Sequence, residues 1–527
     1  MSIRKVSYCF LIVALSITGC TDDHLNPGTP PDTISFGEGR EDELKDIFGR
    51  GVAKAFAESI SFRKLIKEKA LEMFDRDYDV LYHLIKNEDL DNGGTVRDLL
   101  LKHIGEEELS EIERTIPLLT LFVPELPENT FSASLWNVTE QIPVVGITSN
   151  KTNNVNIINS DGDAYVLPCH VAPGFPVVVV KECERVVVTE GGKSTASGRT
   201  MSGGGVSFQF LGDCFDGSLK IAKSDQEIGA TQTSSNGRLT ALSLTKHLKL
   251  MLAYTAFPNT NGWQRDYMYY NLTPEVTKGP FVSDIVEHIT LFRLRGDAVS
   301  AYQKISDQTS GAHIDPKFQE GYWWDSRYSP QPSVSVGWTG GYFEFRVTVT
   351  MNSKISTIGN QFIAYFHATP VELFDMRWVR PSAENPYFYY LKIMGTKDKY
   401  TNLQLFPWDL ESYSSTIKIE IEEIDEEKTV NRSETRTSKV ADNFGFDAGF
   451  GEVVKLGLKY GKNVAKDKTQ TLQWTETQGS DKLGSVILNF GDRFITGTQS
   501  DGNGGTLFNV PEYTTGWYSI MILPMQR

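Results

Sequence analysis

The spacing of apolar residues changes near Pro117, and this change divides the chain into a helical part and a β-rich part. Between Glu41 and about Ile116, apolar residues recur every three or four positions, which places them along one stripe of a helix. These stripes predict a series of short helices, one of which begins with a capping box of Thr95 and Asp98. Because each stripe covers only one side of its helix, we expect a small helical bundle that folds as a separate module.

Beyond Pro117, short apolar or alternating segments are separated by Gly, Asn, Asp and Pro, a pattern typical of β-sandwiches and barrels. Residues 118–123 form a continuous apolar run that predicts a buried strand. Helical spacing returns over 239–256, and strand-like alternation dominates from Ser333 to the C-terminus.

A chain of 527 residues is too long for one ordinary core, so several domains are expected. The predicted class is an α+β multidomain protein with an N-terminal helical bundle, β-sandwich-type domains and an all-β C-terminal region. The expected division is a signal peptide (1–19), a tether (20–40), the helical bundle (41–116), a β-rich domain (117–238), a mixed α/β connecting region (239–332) and a β-sandwich-like domain (333–527).

The first residues carry a targeting pattern. Arg4 and Lys5 precede a short apolar run over 8–16, and Ile17-Thr18-Gly19-Cys20 closes it. This order resembles a bacterial lipoprotein signal peptide, and the resemblance implies that Cys20 is lipidated and becomes the mature N-terminus. An ordinary secretory signal with an incidental cysteine is the alternative. The polar, proline-rich stretch that follows predicts an extended tether.

The layout of signal, tether, helical unit and β-rich tail resembles that of uncharacterised multidomain lipoproteins of Bacteroidota. The acidic pair Asp22-Asp23 after the cysteine is similar to their surface-export signals. The resemblance implies a cell-envelope protein, lipid-anchored to the outer membrane, whose exposure at the cell surface is left open.

Charge and motifs restrict the function classes. The formal net charge is −15 and no stripe of Lys and Arg stands out, so nucleic acid is not expected as a partner. Metalloprotease, nucleophile-elbow, phosphate-loop and dinucleotide-binding motifs are absent from the sequence. We therefore expect no cofactor, no metal site and no catalytic residues, although a site assembled from distant residues would leave no motif.

Three of the five cysteines lie outside the signal segment: Cys169, Cys183 and Cys214. Outside the cytoplasm, Cys169 and Cys183 could form a disulfide across a short loop, which would leave Cys214 unpaired. Three reduced, buried thiols are the alternative, because free cysteine packs as a small apolar side chain.

A second candidate feature is the aromatic segment Tyr322-Trp323-Trp324, followed by Tyr328, in a stretch rich in Pro and Ser. Exposed aromatic rings on a loop can stack on sugars or insert into a partner protein. The alternative is that the tryptophans anchor the loop to a core.

Residues 430–478 contain long alternating segments flanked by Ser and Thr. They resemble the membrane-inserting hairpins of aerolysin-like β-pore formers, in which lipid-facing and lumen-facing residues alternate. An ordinary sheet with one wet face gives the same alternation. We favour the structural antiparallel sheet, because Glu434, Arg436 and Lys439 place charges on both faces of one strand.

The same end of the chain is also similar to C2-like β-sandwiches. A strand over 419–425 ends in acidic residues, and a later loop with Asp481 precedes Leu483-Gly484. Asp425 and Asp481 are too few acidic residues for calcium-dependent membrane binding, so the similarity implies only the sandwich.

These observations predict a lipid-anchored envelope protein with a non-catalytic binding role, whose partner is a glycan or a protein. The first alternative is a membrane-active, pore-forming effector that uses residues 430–478. The second is an extracytoplasmic hydrolase with an unrecognised site, which would require a pocket with paired carboxylates and perturbed pKa values.

Replacement of Cys20 by Ser should release the protein from the membrane fraction, because the lipid is expected to be its only anchor. Cell fractionation followed by immunoblotting measures this. Firm membrane association of the processed variant would show that Cys20 does not carry the anchor.

Overall fold

The computed structural model describes residues 40–527 with interruptions, and Cys20, the signal segment and the tether to residue 39 lie outside it. The interruptions are 92, 150, 169, 190–198, 213–214, 220–228, 234–239, 244–246, 259–262, 307–315, 317–319, 326–327, 335–337, 354–359, 381–386, 425–427, 439–440, 443–453, 456–463, 466–467, 479–480, 501 and 503–504. Among the described residues, no helix is both long enough and apolar enough to cross a bilayer.

The helices of the described part are short and concentrate near its N-terminus. They are α1 (Arg40–Glu58), α2 (Ile60–Glu72), α3 (Tyr82–Ile85), α4 (Val96–Leu101), α5 (Glu106–Thr115), α6 (Leu248–Ala256), α7 (Gln264–Tyr270), α8 (Ala298–Ile305) and α9 (Pro370–Leu373), with a 3₁₀ turn at Pro127–Asn129. The capping box predicted at α4 is confirmed, since the Thr95 hydroxyl accepts from the Asp98 amide at 3.1 Å and the Asp98 carboxylate accepts from the Thr95 amide at 2.9 Å.

The strands in the first half of the chain are β1 (Asp79–Leu81), β2 (Leu119–Phe122), β3 (Val144–Ile147), β4 (Val155–Ile158), β5 (Ala164–Leu167), β6 (Val171–Pro173), β7 (Val177–Glu182), β8 (Val186–Val188), β9 (Thr200–Gly203), β10 (Val206–Phe210), β11 (Gly229–Thr233) and β12 (Thr240–Ser243).

The remaining strands are β13 (Lys278–Gly279), β14 (Ile285–Leu294), β15 (Glu320–Asp325), β16 (Tyr328–Val334), β17 (Phe343–Ser353), β18 (Asn360–Ala368), β19 (Phe374–Val379), β20 (Phe388–Thr396), β21 (Lys399–Gln404), β22 (Tyr413–Glu423), β23 (Lys428–Ser438), β24 (Ala441–Asp442), β25 (Val454–Lys455), β26 (Val464–Ala465), β27 (Lys468–Gln478), β28 (Asp481–Asn489), β29 (Gly497–Ser500), β30 (Thr506–Val510), β31 (Glu512–Thr514) and β32 (Tyr518–Gln526).

The N-terminal helices pack on a six-stranded sheet with the order β1-β2-β7-β3-β4-β5, in which only the β3–β7 pair is parallel. One apolar core contains the buried faces of the helices together with the strands of this sheet. A separate N-terminal helical bundle is therefore not confirmed. The class of the described part is mixed α/β, and it is mostly β towards the C-terminus.

Close contact between α1 and the sheet explains why the helices share this core. Gly49 of α1 is buried, and a Cβ atom there would lie only 2.4 Å from Cδ1 of Ile147 on β3. Helix α1 therefore packs so close to the sheet that a residue without a side chain is required at position 49. The apolar faces predicted for the helices are present, and they pack against the sheet as well as against one another.

In the C-terminal half, two four-stranded antiparallel sheets contribute to a second core. Their orders are β21-β14-β32-β31 and β18-β17-β22-β28. Phe292 of β14 lies 5.0 Å from Phe345 of β17 and 5.1 Å from Phe366 of β18, measured between ring centroids, so aromatic rings join the two sheets. A β-sandwich is not confirmed for this region.

A sheet joins the two halves. Strand β6 pairs antiparallel with β20, which belongs to the order β15-β16-β20-β19. The indole of Trp338 donates a hydrogen bond of 3.1 Å to the carbonyl of Val171 on β6. Residues near 170, 320–334 and 388–396 are therefore neighbours in space.

Two helix predictions are wrong in part. Within the predicted helix 239–256, Thr240–Ser243 is strand β12 and only Leu248–Ala256 is helical. Within the stretch 41–116, for which only helices are predicted, the chain forms the buried strand β1 before the one-turn helix α3. In both places a short apolar run fits either period, and pairing with a neighbouring strand decides the outcome.

Substitution of Gly49 by Val should destabilise the protein by about 1–3 kcal/mol, because the new side chain collides with Ile147 in the packed core. Ala57→Val is the matched control, since Ala57 is an exposed residue of the same helix and should cost about 0.5 kcal/mol. Urea denaturation measures both variants. Equal stability of the two would show that α1 is not pressed against the sheet.

Candidate functional site

The aromatic segment predicted as a loop forms a β-hairpin. Tyr322, Trp323 and Trp324 lie on β15, and Tyr328 begins β16. The two strands pair antiparallel, with Trp323 opposite Gln331 and an irregularity in register between Trp323 and Asp325. The loop assignment is therefore wrong: alternating residues in this stretch pair as strands, and β16 continues the sheet to β20 at Val334 and Leu391.

A group of aromatic rings that sequence reasoning missed lies where β6 pairs with β20. We call it the aromatic face; its members are His170, Phe175, Tyr387, Phe388 and Tyr390. His170 and Tyr390 have ring centroids 6.0 Å apart at 30°, and Phe175 meets Phe388 edge-on at 6.2 Å. All are half-buried except Tyr387, which is 60% exposed.

Backbone pairing fixes the position of this face. Phe388 is opposite Pro173 and Tyr390 is opposite Val171, so alternate residues of β20 project beside the segment that carries His170 and Phe175. The Gly174 amide donates a 2.7 Å hydrogen bond to the Tyr387 carbonyl, which holds the two segments together at the exposed end. The rings are therefore presented on a rigid sheet edge.

Gly321 connects the aromatic face with the hairpin. A Cβ atom at Gly321 would lie 2.7 Å from Cγ of His170, so the imidazole packs directly on the backbone of β15. Burial lowers the pKa of His170 below its ordinary value of 6.5, which favours the neutral ring at neutral pH. His170 is therefore in contact with both β20, through Tyr390, and the backbone of β15.

The segment 430–478 contains an antiparallel ribbon. Strands β23 and β27 pair along eleven residues each, from Lys428 opposite Gln478 to Ser438 opposite Lys468. The antiparallel pairing predicted for this segment is confirmed over these strands. Residues 443–453 and 456–463, which carry the predicted Phe alternation, lie outside the described residues.

The register of the ribbon shows which residues share a face. Asn431, Ser433 and Thr435 alternate with Arg432 and Glu434, and Arg436 continues the charged face. A lipid-exposed strand needs about nine to eleven residues with an uncharged, apolar outer face. Neither face of β23 meets this requirement.

Of the two acidic residues in the C2-like similarity, the structure describes one. Asp425 lies outside the described residues. Asp481 begins β28, and its Oδ1 lies 2.6 Å from Nζ of Lys304 in an ion pair. The lysine already neutralises the carboxylate, so a calcium ion is not needed to balance its charge.

Cys183 is buried and free among the described residues, and the disulfide with Cys169 stays a prediction because Cys169 lies outside them. The Cys183 Sγ donates a hydrogen bond of 3.5 Å to Oδ2 of Asp75. Burial and the neighbouring carboxylates raise the pKa of the Cys183 thiol well above its ordinary value, so the unreactive thiol form is favoured. Cys169 and Cys214 lie outside the described residues.

Cys183 belongs to a buried charged cluster that the sequence analysis missed. Its ionisable members come from two segments of the chain and are Asp75, Asp77, Asp79, Lys181, Glu184 and Arg185. The sequence did contain an indication of this cluster, because Lys181 directly follows four valines, a run that is typical of a buried strand. A lysine at such a position requires a buried counter-charge.

Paired carboxylates with perturbed pKa values were the feature expected of a hydrolase, and Asp75 and Asp79 form such a pair. Burial raises the pKa of Asp75 to about 6 and that of Asp79 well above its ordinary value. Both residues are 0% exposed, however. A substrate cannot reach them, so the pair does not meet the geometric requirement for a hydrolytic site.

Comparison with known proteins gives no guide to these features. No family model, no curated protein and no solved structure matches the chain.

The raised pKa of Asp75 predicts a dependence of stability on pH. The carboxyl titrates near 6 in the folded protein and near 3.8 in the unfolded chain, so the folded state holds a proton that the unfolded chain has released. Stability should therefore fall as the pH rises from about 4 to about 6, and the loss should persist above that range.

Asp75→Asn cannot ionise and should remove this loss. We expect the variant to be more stable than the parent by about 1–3 kcal/mol near pH 7.5 and equally stable near pH 4. Asp91→Asn, whose carboxylate is 73% exposed, is the control and should leave the pH profile unchanged. Urea denaturation between pH 4 and pH 7.5 measures the free energy of unfolding of each protein. If the stability of Asp75→Asn changes with pH as that of the parent does, the prediction is contradicted.

Proposed function

We propose that this protein is a lipid-anchored envelope protein that binds a neutral glycan, without catalysis, through the aromatic face and the adjoining hairpin. The observation that supports this most directly is the two ring contacts where β6 pairs with β20, His170 with Tyr390 and Phe175 with Phe388, with the exposed Tyr387 next to Phe388 in the chain. Aromatic rings offer a flat apolar surface against which the C–H groups of a sugar can pack, while the phenol oxygens accept or donate hydrogen bonds.

Rigidity favours such a role. The rings are carried by paired strands, and the Gly174–Tyr387 hydrogen bond fixes their exposed end. A surface that is already ordered loses little conformational entropy when a ligand binds. The net charge of −15 would repel acidic polysaccharides at long range, which favours a neutral glycan.

The cellular setting of the proposal comes from the sequence. A lipid on Cys20 would anchor the protein to the outer membrane, and the tether to residue 40 would place the body beyond the bilayer surface. The two sheets of the C-terminal half, joined by Phe292, are consistent with a sandwich-type domain that supports the binding surface.

The pore-forming alternative has weaker support. Arg432, Glu434 and Arg436 share one face of the ribbon, and each Arg at the bilayer midplane would cost about 2–4 kcal/mol. The opposite face has only polar residues over the same length. In water these side chains are solvated, so the ribbon does not have this free-energy cost.

Tyr387→Ala should weaken glycan binding at least about tenfold, because an exposed ring at the centre of a contact contributes on the order of 1.4 kcal/mol or more. Affinity electrophoresis in gels containing starch, xylan, mannan or β-glucan measures retardation of the full chain. Tyr365→Ala is the matched control, since Tyr365 is 47% exposed on a different sheet, on β18.

Two outcomes would overturn the proposal. One is the absence of retardation by every neutral polysaccharide. The other is equal loss of binding in the Tyr365 variant. Dye release from liposomes by the lipid-free protein would instead support the pore-forming alternative.

A further inference from the structure

Lys181, Asp79 and Glu184 form a closed triad inside the buried charged cluster. The Nζ atom of Lys181 lies 3.2 Å from Oδ2 of Asp79, and it donates to both carboxylate oxygens of Glu184 at 2.6 and 2.9 Å. The side chains of Lys181, Asp79 and Glu184 are 6%, 0% and 2% exposed. An amine, a carboxyl group and a second carboxylate are thus held together away from water.

Strand register explains how the amine reaches the carboxyl group. Asp79 of β1 is opposite Phe122 of β2, and Phe122 is opposite Val179 of β7. Lys181 is two residues beyond Val179, so it lies on the same face as Asp79. Its Nζ lies 4.8 Å from the centroid of the Phe122 ring, which shows that the side chain crosses the middle strand to reach the far one.

Asp79 is incompletely satisfied in this position. Within the described part of the chain, neither of its buried carboxylate oxygens accepts a hydrogen bond, so the ion pair with Lys181 is the one contact that offsets its charge there. A buried carboxylate of this kind is costly, whereas a neutral carboxyl group or an amide is far less so. The site therefore favours an uncharged form of Asp79.

We propose that Lys181 and Asp79 condense into an intramolecular isopeptide bond, with Glu184 as the proton carrier. Glu184 accepts a proton from the Lys181 ammonium, and the free amine attacks Cγ of the Asp79 carboxylic acid. A Nζ–Cγ bond forms and the Cγ–OH bond breaks. Glu184 returns the proton to the departing hydroxyl, and it then accepts the second proton that Nζ releases as it becomes an amide nitrogen. One water molecule leaves, Glu184 ends as a neutral carboxylic acid, and no oxidant or reductant is consumed.

The surroundings support this chemistry. Burial raises the pKa of Asp79, which keeps the carboxyl group protonated and therefore electrophilic. Burial alone would lower the pKa of Lys181, but the neighbouring carboxylates outweigh burial and hold this pKa above its ordinary value, with the Asp79 carboxylate as the largest such influence. Protonation of Asp79 removes that influence. Fixed proximity then makes the reaction effectively unimolecular.

A loop from the C-terminal half seals the triad. The Gly341 amide donates to Oε1 of Glu184 at 3.1 Å, and the Tyr342 hydroxyl donates to the Glu184 carbonyl at 2.9 Å. A Cβ atom at Gly340 would lie 2.8 Å from Nζ of Lys181, and the φ angle of Gly340 is +94°. Closure of this loop excludes water, which would otherwise hydrate the charged forms and oppose condensation.

The bond would link β1 to β7 across β2, covalently bridging three strands of the six-stranded sheet. Peptide mapping of the purified full-length chain tests this directly. After cysteine alkylation and trypsin digestion, the link joins peptide 77–86 to peptide 152–185, because trypsin does not cleave after a modified Lys181. The branched peptide should weigh one water molecule less than the sum of its parts.

Variants identify the roles of the three residues. Lys181→Arg should yield only linear peptides, and Glu184→Gln should retain unlinked Lys181 in a folded protein with parental circular dichroism. Asp79→Asn should give the same branched peptide with release of ammonia instead of water. Quantitative recovery of linear peptides 77–86 and 152–181 from the unsubstituted protein would overturn the proposal, and that measurement does not depend on any variant folding.

Discussion

Burial of the Lys181 side chain is the constraint on which both halves of the structure depend. Its Nζ is surrounded by Asp79 on β1, the Phe122 ring on β2, Glu184 after β7 and the loop at Gly340 from the distant half of the chain. Removal of one partner from such a buried ion pair typically costs about 3–5 kcal/mol. The helices that cover this sheet and the loop that seals it must therefore be in place together, which explains why the N-terminal part does not separate into an independent bundle.

The sequence predicted local structure well where a single period extends over enough residues. The stripes of α1 and α2, the capping box at Thr95 and the buried strand β2 are confirmed. What covers an apolar stripe cannot be read from its spacing, because helices and sheets offer the same apolar surface. The Gly49–Ile147 contact joins residues about a hundred positions apart. Periodicity carries no information about such a pairing.

The candidate sites show the same limit. The run Tyr322-Trp323-Trp324 was visible as an aromatic cluster, but the ring contact of His170 with Tyr390 joins segments that only the fold brings together. In the charged cluster, Asp79 and Lys181 are likewise separate in sequence and meet through the register of three strands. Lys181 in an apolar strand indicated that a counter-charge must exist. Its identity required the tertiary structure.

The ribbon of β23 and β27 poses a different physical problem, since within the described residues its two strands pair only with each other. Unpaired strand edges invite association with other chains, and charged residues are the usual protection against it. Arg432, Glu434 and Arg436 supply charges of alternating sign along one face of β23. A chain that joined this edge would have to match those charges in register, which most strands cannot do. The residues that make the ribbon unsuitable for a lipid environment thus also keep it from aggregating in water, so one pattern of charges accounts for both properties.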